Sequence, residues 1–354
     1  MSDGPGGALG AGGVFGRSAN ETGVSILTAT ASPETSEDLD LGGDSRARGA
    51  DRGFRGLVTL AGLMVLVVLA LILVATALRA MPALSEEGLW GFITGTRWAP
   101  NEDVFGTFPM LYGTLVTSLI GMVVAVPVSI GIALFTTEIA HRRLRKYIVT
   151  VVDLLATIPS VVFGLVGVLV VVPFIDDWYQ GLAGLVEPVP VLTSVFDESN
   201  TGRNYFTAGM VLAIMTIPII TSIAREVFDT VPETDKQAAY ALGATRWEMI
   251  KGAMLPHSFG GLVGASMLGL GRAMGETIAV ALVIGGSFHI SANVFDTGNT
   301  MAAVIAQQWG ESTGLHTDAL VGIGVVLFAI TVIINFAARW VVRRAETKMR
   351  GAHS

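Results

Sequence analysis

The 354-residue sequence contains no cysteine and few charged residues. Without cysteine the chain can form no disulfide, no thiolate metal site and no iron–sulfur cluster, and it has no thiol nucleophile. Only 14% of its residues are charged, whereas 51% are hydrophobic and 43 are glycines. This balance is rare in water-soluble domains and typical of proteins that cross a membrane several times. The composition therefore indicates a polytopic membrane protein.

Several catalytic and nucleotide-binding signatures are also missing. None of the lysines lies in the GxxxxGK[ST] pattern that cradles the phosphates of ATP. The five histidines form no HExxH pair, and there is no GxSxG nucleophile motif. We therefore predict a non-enzyme with no catalytic residue, no metal site and no cofactor of its own, with an intramembrane enzyme as the weakest alternative. Any driven process would draw its energy from a partner protein or an ion gradient.

Six stretches are apolar enough to cross the hydrocarbon core as helices, which takes about 20 residues each. They are residues 57–78, 112–137, 148–175, 206–224, 259–285 and 319–342. The first begins far from the N-terminus and has no clear small-residue cleavage site, so it is interpreted as a retained span and not as a signal peptide. The sequence predicts an all-α integral membrane fold with six transmembrane helices.

The lysines and arginines predict an orientation, because basic residues favour cytoplasmic loops. Five precede the first span, four lie between spans two and three, four lie between spans four and five, and five lie at the end of the last span or after it. Only Arg79, Arg97 and Arg203 lie on the other side, and Arg272 lies inside the fifth span. Both termini are therefore predicted to be cytoplasmic, in a multi-pass protein of the cytoplasmic membrane.

Residues 1–55 are rich in small and polar residues and show no sustained apolar period. Such a segment cannot bury enough apolar surface to offset the entropy lost on ordering. It is predicted to be a disordered cytoplasmic tail, either a dispensable extension or a regulatory or docking segment. The transmembrane domain is placed at residues 56–345, and residues 346–354 are predicted to be a cytoplasmic C-terminal tail.

Residues 79–111 and 176–205 are the long extracytoplasmic segments in this topology, and both carry aromatic residues near the ends of spans. These aromatics are Trp90, Trp98, Trp178 and Tyr179. We interpret them as anchors at the membrane interface, with a docking surface for an outside partner as the alternative.

The spans contain prolines and stripes of small residues. Pro127, Pro159 and Pro218 lie within spans, where kinked helices are tolerated if neighbours or a cavity satisfy the freed carbonyls. The fifth span carries two stripes at four-residue spacing, one of Gly261, Ala265, Gly269 and Ala273, the other of Gly271, Gly275 and Ala279. Such stripes allow close approach of helix backbones, so this helix is expected to be central and packed on several sides.

The stretch GLGRAMGETIAV places Arg272 and Glu276 in the middle of the fifth span. Each charge costs about 3 kcal/mol at a helix centre. Four residues apart on a continuous helix, the two can touch, so one interpretation is a self-neutralising pair that fixes packing. The other is that the guanidinium faces a solvated pathway and binds an oxyanion, with Glu276 orienting it and weakening the binding enough for release. Asp153 is a weaker candidate because it lies near the end of its span.

Residues 225–258 are neither an apolar span nor a flexible linker. Residues 238–251 are predicted to form a helix pair broken at Gly243. The expected apolar contacts of this segment are Ala239, Leu242, Trp247, Ile250 and Met254. A short structured helical loop on the cytoplasmic side is a natural docking site for a soluble partner.

Part of this segment, QAAYALGATRWEMIKGAMLP, resembles the EAA loop of ABC importer permeases. The family pattern is EAA, three residues, Gly, nine residues, Ile, one residue and Leu-Pro. The matching residues are Ala238, Ala239, Gly243, Leu255 and Pro256. Gln237 stands in place of the usual Glu, and Ala253 in place of Ile. The resemblance implies that this segment docks into a groove of an ATP-binding subunit and transmits its closure to the spans.

The stretch GLGRAMGETIAVALVIGG is similar to the signature of phosphate-specific permeases, and NVFDTGNTMAAVIAQQWGE resembles the loop before the last span of the PstC type. The resemblance implies a type I ABC importer permease fold and a subunit of an ATP-driven phosphate importer of the inner membrane. Arg272, Glu276 and Thr277 would then line the phosphate pathway. The implied partners are a homologous PstA-type permease, two ATP-binding subunits that hold ATP and Mg²⁺, and an extracytoplasmic phosphate-binding protein.

Two other transport functions remain open on the sequence alone. One is an ion-coupled secondary oxyanion carrier in which Glu276 or Asp153 titrates, although such a carrier has no need of an EAA-type loop. The other is an ABC permease for a different oxyanion, such as molybdate or sulfate, because an arginine does not by itself distinguish these ligands.

Overall fold

A computed structural model describes residues 45–175 and 202–351, and most of these residues lie in helices. The predicted all-α class is therefore confirmed. Of the predicted tail, residues 1–44 lie outside the described part, whereas helix α1 (Ser45–Thr94) already includes residues 45–55. The chain divides into two compact units, Met1–Met64 and Val65–Ser354, and the division falls within α1.

The described helices after α1 are, in chain order, α2 (Phe108–Leu134), α3 (Arg142–Thr157), α4 (Ser160–Val166), α5 (Tyr205–Asp229), α6 (Glu233–Ala241), α7 (Arg246–Met249), α8 (Leu255–Met274), α9 (Ile278–Val283), α10 (Met301–Gln308) and α11 (Leu315–Gly351). Single π-helical turns follow α2, α4 and α7, at Phe135–Ile139, Gly167–Val171 and Ile250–Met254. A short antiparallel hairpin of β1 (Trp98–Ala99) and β2 (Val104–Phe105) connects α1 to α2.

Within the described residues, five helices are long and apolar enough to cross a membrane, and the pair α3–α4 makes a sixth if it is counted as one span. The six predicted spans agree with this count, but the third is bent by 96°. The bend lies at Ile158 and Pro159, because proline lacks an amide hydrogen and drives the preceding residue into an extended conformation. Pro127 and Pro218, in contrast, lie inside α2 and α5 without ending them.

Helix α5 occupies the centre of the larger unit and packs against α2, α3, α8 and α9. Glycine allows the close approach: a Cβ at Gly209 would lie 2.5 Å from Cγ2 of Ile120 on α2. On the other side a Cβ at Gly269 of α8 would lie 2.6 Å from Cδ1 of Ile220 on α5. The stripe predicted on α8 that contains Gly269 therefore does pack closely against a neighbouring helix.

Trp98 is part of the core and not a membrane anchor. It is only 7% exposed, packs edge-on against Phe105, and donates from Nε1 to Oε1 of Gln308 at 3.0 Å. This hydrogen bond connects β1 to the last residue of α10, and the burial shows that the interface interpretation is wrong for this residue. Trp90 is 77% exposed, as expected of an anchor. Trp178 and Tyr179 lie outside the described residues.

Gly113 on α2 tests this close packing, because it lies against the backbone of Asn299. A Cβ there would overlap the carbonyl oxygen of Asn299 and lie 3.1 Å from the ring of Tyr205. We expect Gly113→Ala to lower the stability of the purified protein by about 1–3 kcal/mol, measured as a shift of its thermal unfolding in detergent. Gly131→Ala on the same helix is the control, since nothing lies within 4 Å of its Cβ. Equal stability of the two variants would contradict the packing described here.

Candidate functional site

The fifth membrane span is interrupted between α8 and α9, at residues 275–277. The prediction of one continuous helix over residues 259–285 is therefore wrong. Gly275 caps α8, with its amide donating to Gly271 at 3.2 Å, and Thr277 precedes the first turn of α9. Gly271 precedes Arg272 in the last turn of α8, and Gly275 follows the last residue of that helix.

The interruption separates Arg272 from Glu276. No ion pair joins them among the described residues, so the predicted contact within one helix is not formed. The Arg272 side chain lies in the last turn of α8 and is exposed. Glu276 is only 7% exposed, and its Oε1 accepts from the amide of Ala279 at 3.4 Å. The carboxylate thus satisfies a backbone donor that the interruption leaves free at the start of α9.

Both residues line an open cavity of about 990 Å³ whose walls come mainly from α8 and α11. Gly264 and Gly271 also line it, and a Cβ at either position would meet no atom within 4 Å. Of the second predicted stripe, Gly271 and Gly275 therefore face a cavity and not a neighbouring helix within this chain, whereas Ala279 on α9 is buried against α4. The missing side chains at Gly264 and Gly271 leave room on this face beside Arg272.

Arg339 is a further residue of this cavity that sequence reasoning missed. The charge count assigns it to the cytoplasmic basic residues at the end of the last span, whereas α11 places it on the cavity wall with Asn335. Asn335 and Arg339 are four residues apart and therefore share one face of the helix. Two polar residues at this spacing near the end of a mostly apolar span are the signal that could have identified them. The cavity wall thus carries two guanidinium groups and one carboxylate.

The remaining pathway candidates lie elsewhere. Thr277 is partly buried beside the interruption and is not one of the residues that line the cavity. The side chain of Asp153 is 54% exposed and lies 3.9 Å from Nη2 of Arg225, as in a weak surface ion pair. The geometry therefore places Arg272 and Glu276 on the wall of one cavity without a contact between them, and Asp153 does not line that cavity.

The predicted helix pair is formed by α6 and α7, and its turn is at Gly243. The amides of Gly243 and Ala244 donate to the carbonyls of Tyr240 and Ala239, which is a Schellman cap. This cap requires the positive φ of 82° that Gly243 has, and glycine adopts it without steric cost. Thr245 and Glu248 then form a reciprocal capping box that starts α7.

The residues of the EAA-like motif divide between two faces. Ala239 and Leu255 pack onto an apolar cluster with Phe228, Met249 and Met254, which attaches the segment to the ends of α5 and α8. The other motif residues are exposed: Gln237, Ala238, Gly243 and Pro256.

Leu242 is 90% exposed and Trp247 63% exposed, so their prediction as internal contacts is wrong. Large apolar side chains held in water by a well-capped turn indicate a surface that another chain covers.

Comparison with known proteins identifies a family for this architecture. Residues 125–351 match the family model described as binding-protein-dependent transport system inner membrane component. The chain is 42% identical to the phosphate transport system permease protein PstC of Xylella fastidiosa, over 87% of this chain and 95% of that protein. It is 38% identical to PstC 2 of Mycobacterium tuberculosis, over 83% and 92% of the two chains.

Solved structures of importers share the fold at lower identity. A chain of a bacterial alginate ABC transporter, crystallised with an alginate-bound periplasmic protein, superimposes with a TM-score of 0.55 at 16% identity. The match covers 82% of this chain and 96% of that chain. A second structure of a bacterial alginate importer gives a TM-score of 0.50 at 17% identity, over 85% and 99% of the two chains.

The cysteine-free chain allows a direct test of the cavity. Gly271→Cys places a thiol on the cavity wall, whereas Ala273→Cys, on the other side of Arg272, places one at a position that is 4% exposed. We expect a charged, water-soluble thiol reagent to modify position 271 in membranes about tenfold faster or more, because reaction requires a solvated thiolate. Equal rates at the two positions, after matched expression, would show that this face of α8 is not lined by water.

Proposed function

The chain belongs to the family of binding-protein-dependent transport system inner membrane components, and we propose that it is the permease subunit of an ATP-driven phosphate importer. The observation that carries the proposal is the exposed guanidinium of Arg272 on the wall of a cavity within the membrane-spanning part. The choice of phosphate as the substrate rests on the relatives named as phosphate transport permeases, at 42% and 38% identity.

The arrangement of charges suits phosphate. The planar fork of Arg272 can donate two parallel hydrogen bonds to neighbouring oxygens of a tetrahedral anion. At neutral pH phosphate keeps at least one proton, so it can also donate a hydrogen bond to a carboxylate such as Glu276. Sulfate and molybdate carry no proton at this pH and would meet only repulsion there. Glu276 therefore favours phosphate over the other oxyanions while preventing binding too tight for release.

The size of the cavity suits the passage of a hydrated anion more than tight binding of a single ion. Its volume of about 990 Å³ greatly exceeds that of one small anion, so a phosphate ion would keep part of its hydration shell there. Asn335 and Arg339 would offer further donors along the wall. A homologous PstA-type permease subunit, packed against this open face, would complete the pathway between the two chains.

The orientation and the remaining partners follow from the distribution of charge and exposed surface. We place both termini and the segment α6–α7 in the cytoplasm, where most basic residues of the chain would then lie. Two ATP-binding subunits would hold ATP and Mg²⁺, and one of them would cover the exposed Leu242 and Trp247. An extracytoplasmic phosphate-binding protein would deliver the substrate at the opposite end of the spans.

Phosphate uptake in cells that lack the chain tests this function. Complementation with the unaltered chain should restore uptake of radiolabelled phosphate, and Arg272→Gln should abolish it at matched membrane levels, because the neutral amide cannot replace the charge-assisted donors. The double change Arg272→Gln with Glu276→Gln should also be inactive. Arg97→Gln is the control, since Arg97 forms only an exposed pair with Glu102.

Each competing function gives a different result in the same cells. Uptake that survives depletion of ATP and collapses with the proton gradient would establish an ion-coupled carrier. Uptake inhibited by excess sulfate or molybdate as strongly as by excess phosphate would establish a broader oxyanion permease. Normal transport by the double variant would show that Arg272 and Glu276 are not needed in the phosphate pathway and contribute only to packing.

Arg339 supplies a second prediction within this function. Arg339→Gln should slow phosphate uptake about tenfold, which corresponds to the loss of one charge-assisted hydrogen bond of roughly 1.4 kcal/mol. Arg344→Gln is the matched control on the same helix, because the guanidinium of Arg344 stacks 4.0 Å above the ring of Trp340. Equal uptake by the two variants would remove Arg339 from the pathway.

A further inference from the structure

Lys236 on α6 forms a shielded ion pair with Glu138, which lies in the π-helical turn at the end of α2. Its Nζ donates to Oε1 of Glu138 at 2.7 Å, and the two side chains are 13% and 12% exposed. Glu233 is a more distant neighbour, 3.8 Å from the same Nζ and 72% exposed. Among residues 45–175 and 202–351, no other ion pair has both side chains shielded to this extent.

This pair connects α6 directly to a membrane span. Helix α7 needs no such connection, because it continues through a π-helical turn into α8. Helix α6 is separated from α7 by the turn at Gly243, and none of its residues is fully buried. Its side-chain attachments are the half-buried Ala239, which reaches the apolar cluster, and Lys236, which reaches α2.

The position of Glu138 makes this connection mechanically useful. A π-helical turn contains one residue more than the regular helix and is therefore a place where a helix can change its winding. From this turn α2 extends through the membrane and packs against α5 and α8. Two charges shielded from water attract each other strongly. Removal of one leaves the other uncompensated in an environment of low dielectric constant, which is energetically costly. The pair therefore resists separation of α6 from α2, so that α2 follows α6 when α6 moves away from it as well as when α6 moves towards it.

We propose that the Glu138–Lys236 pair transmits the movement of α6 to α2 and so couples ATP hydrolysis in the partner subunits to phosphate movement. The proposal rests on the function argued above. Glu138 and Lys236 touch neither phosphate nor ATP in this mechanism, so both are positioning residues. Without the pair, α6 follows the ATP-binding subunit while α2 stays behind.

The test uses the complete importer in liposomes, with ATP hydrolysis and phosphate uptake measured on the same sample. Glu138→Gln and Lys236→Met should leave ATP hydrolysis within about twofold of the unaltered importer but lower the phosphate taken up per ATP about tenfold. The reversed pair, Glu138→Lys with Lys236→Glu, should restore most of that ratio, because it re-forms the attraction. Asp229→Asn is the control, an acid-to-amide change in the exposed pair with Arg145 at the same end of the helices.

Three outcomes would overturn the proposal. In the first, the single variants keep the ratio of the unaltered importer. In the second, uptake and hydrolysis fall together, which indicates lost docking of the ATP-binding subunit. In the third, the reversed pair stays uncoupled, or none of the variants assembles, which makes the pair a requirement for folding only.

The same assay separates this inference from the proposed function. If the unaltered importer shows no ATP-dependent phosphate uptake, the proposed function fails whatever the variants do. If the unaltered importer transports phosphate and the variants keep its ratio of phosphate to ATP, only the role of the ion pair fails.

Discussion

Close packing of α5 against α2 and α8 is the interaction on which the rest of the larger unit depends. Apolar side chains gain little by leaving lipid for a helix interface, so association in a membrane depends on close contact and van der Waals attraction. Gly209 and Gly269 provide that contact on the two sides of α5, and the buried Ala265 extends it along α8. Because one face of α8 is fixed in this way, its opposite face, with Gly264 and Gly271, can stay open without loss of the fold.

The second constraint is the need of every backbone donor in the membrane for a partner. The interruption after α8 exposes amides at the start of α9, and the Glu276 carboxylate accepts from one of them, the amide of Ala279. Glu276 is thereby held inward, and Arg272 is left without an ion pair among the described residues. A continuous helix would have allowed the two charges to neutralise each other. Because the helix is interrupted, the guanidinium of Arg272 is not neutralised by Glu276 and is available to bind an anion.

Composition and apolar length were enough to predict the fold class and the six spans, because the thickness of the bilayer sets the length of a span and a helix satisfies its own backbone groups in lipid. The position of the cytoplasmic helix pair followed from Gly243, whose positive φ few other residues adopt. The interruption at residues 275–277 was not predicted, since the stretch is apolar enough to read as one span and glycines occur throughout it. Leu242 and Trp247 were misassigned because periodicity shows that a residue is apolar, not which chain covers it. Arg339 was missed because a basic residue near the end of a span reads first as a topological signal.

The exposed turn and the cavity are connected by one uninterrupted length of helix. From Arg246 to Met274 the chain is helical, with the π-helical turn Ile250–Met254 as its irregular part. At a rise of about 1.5 Å per residue, Trp247 and Arg272 lie roughly 38 Å apart on this helix. Any displacement imposed at Trp247 must therefore rotate or shift Arg272, unless the π-helical turn absorbs it. The apolar cluster around Met249 and Met254 packs on that turn and limits this absorption, so a more rigid cluster passes more of the displacement on to the cavity.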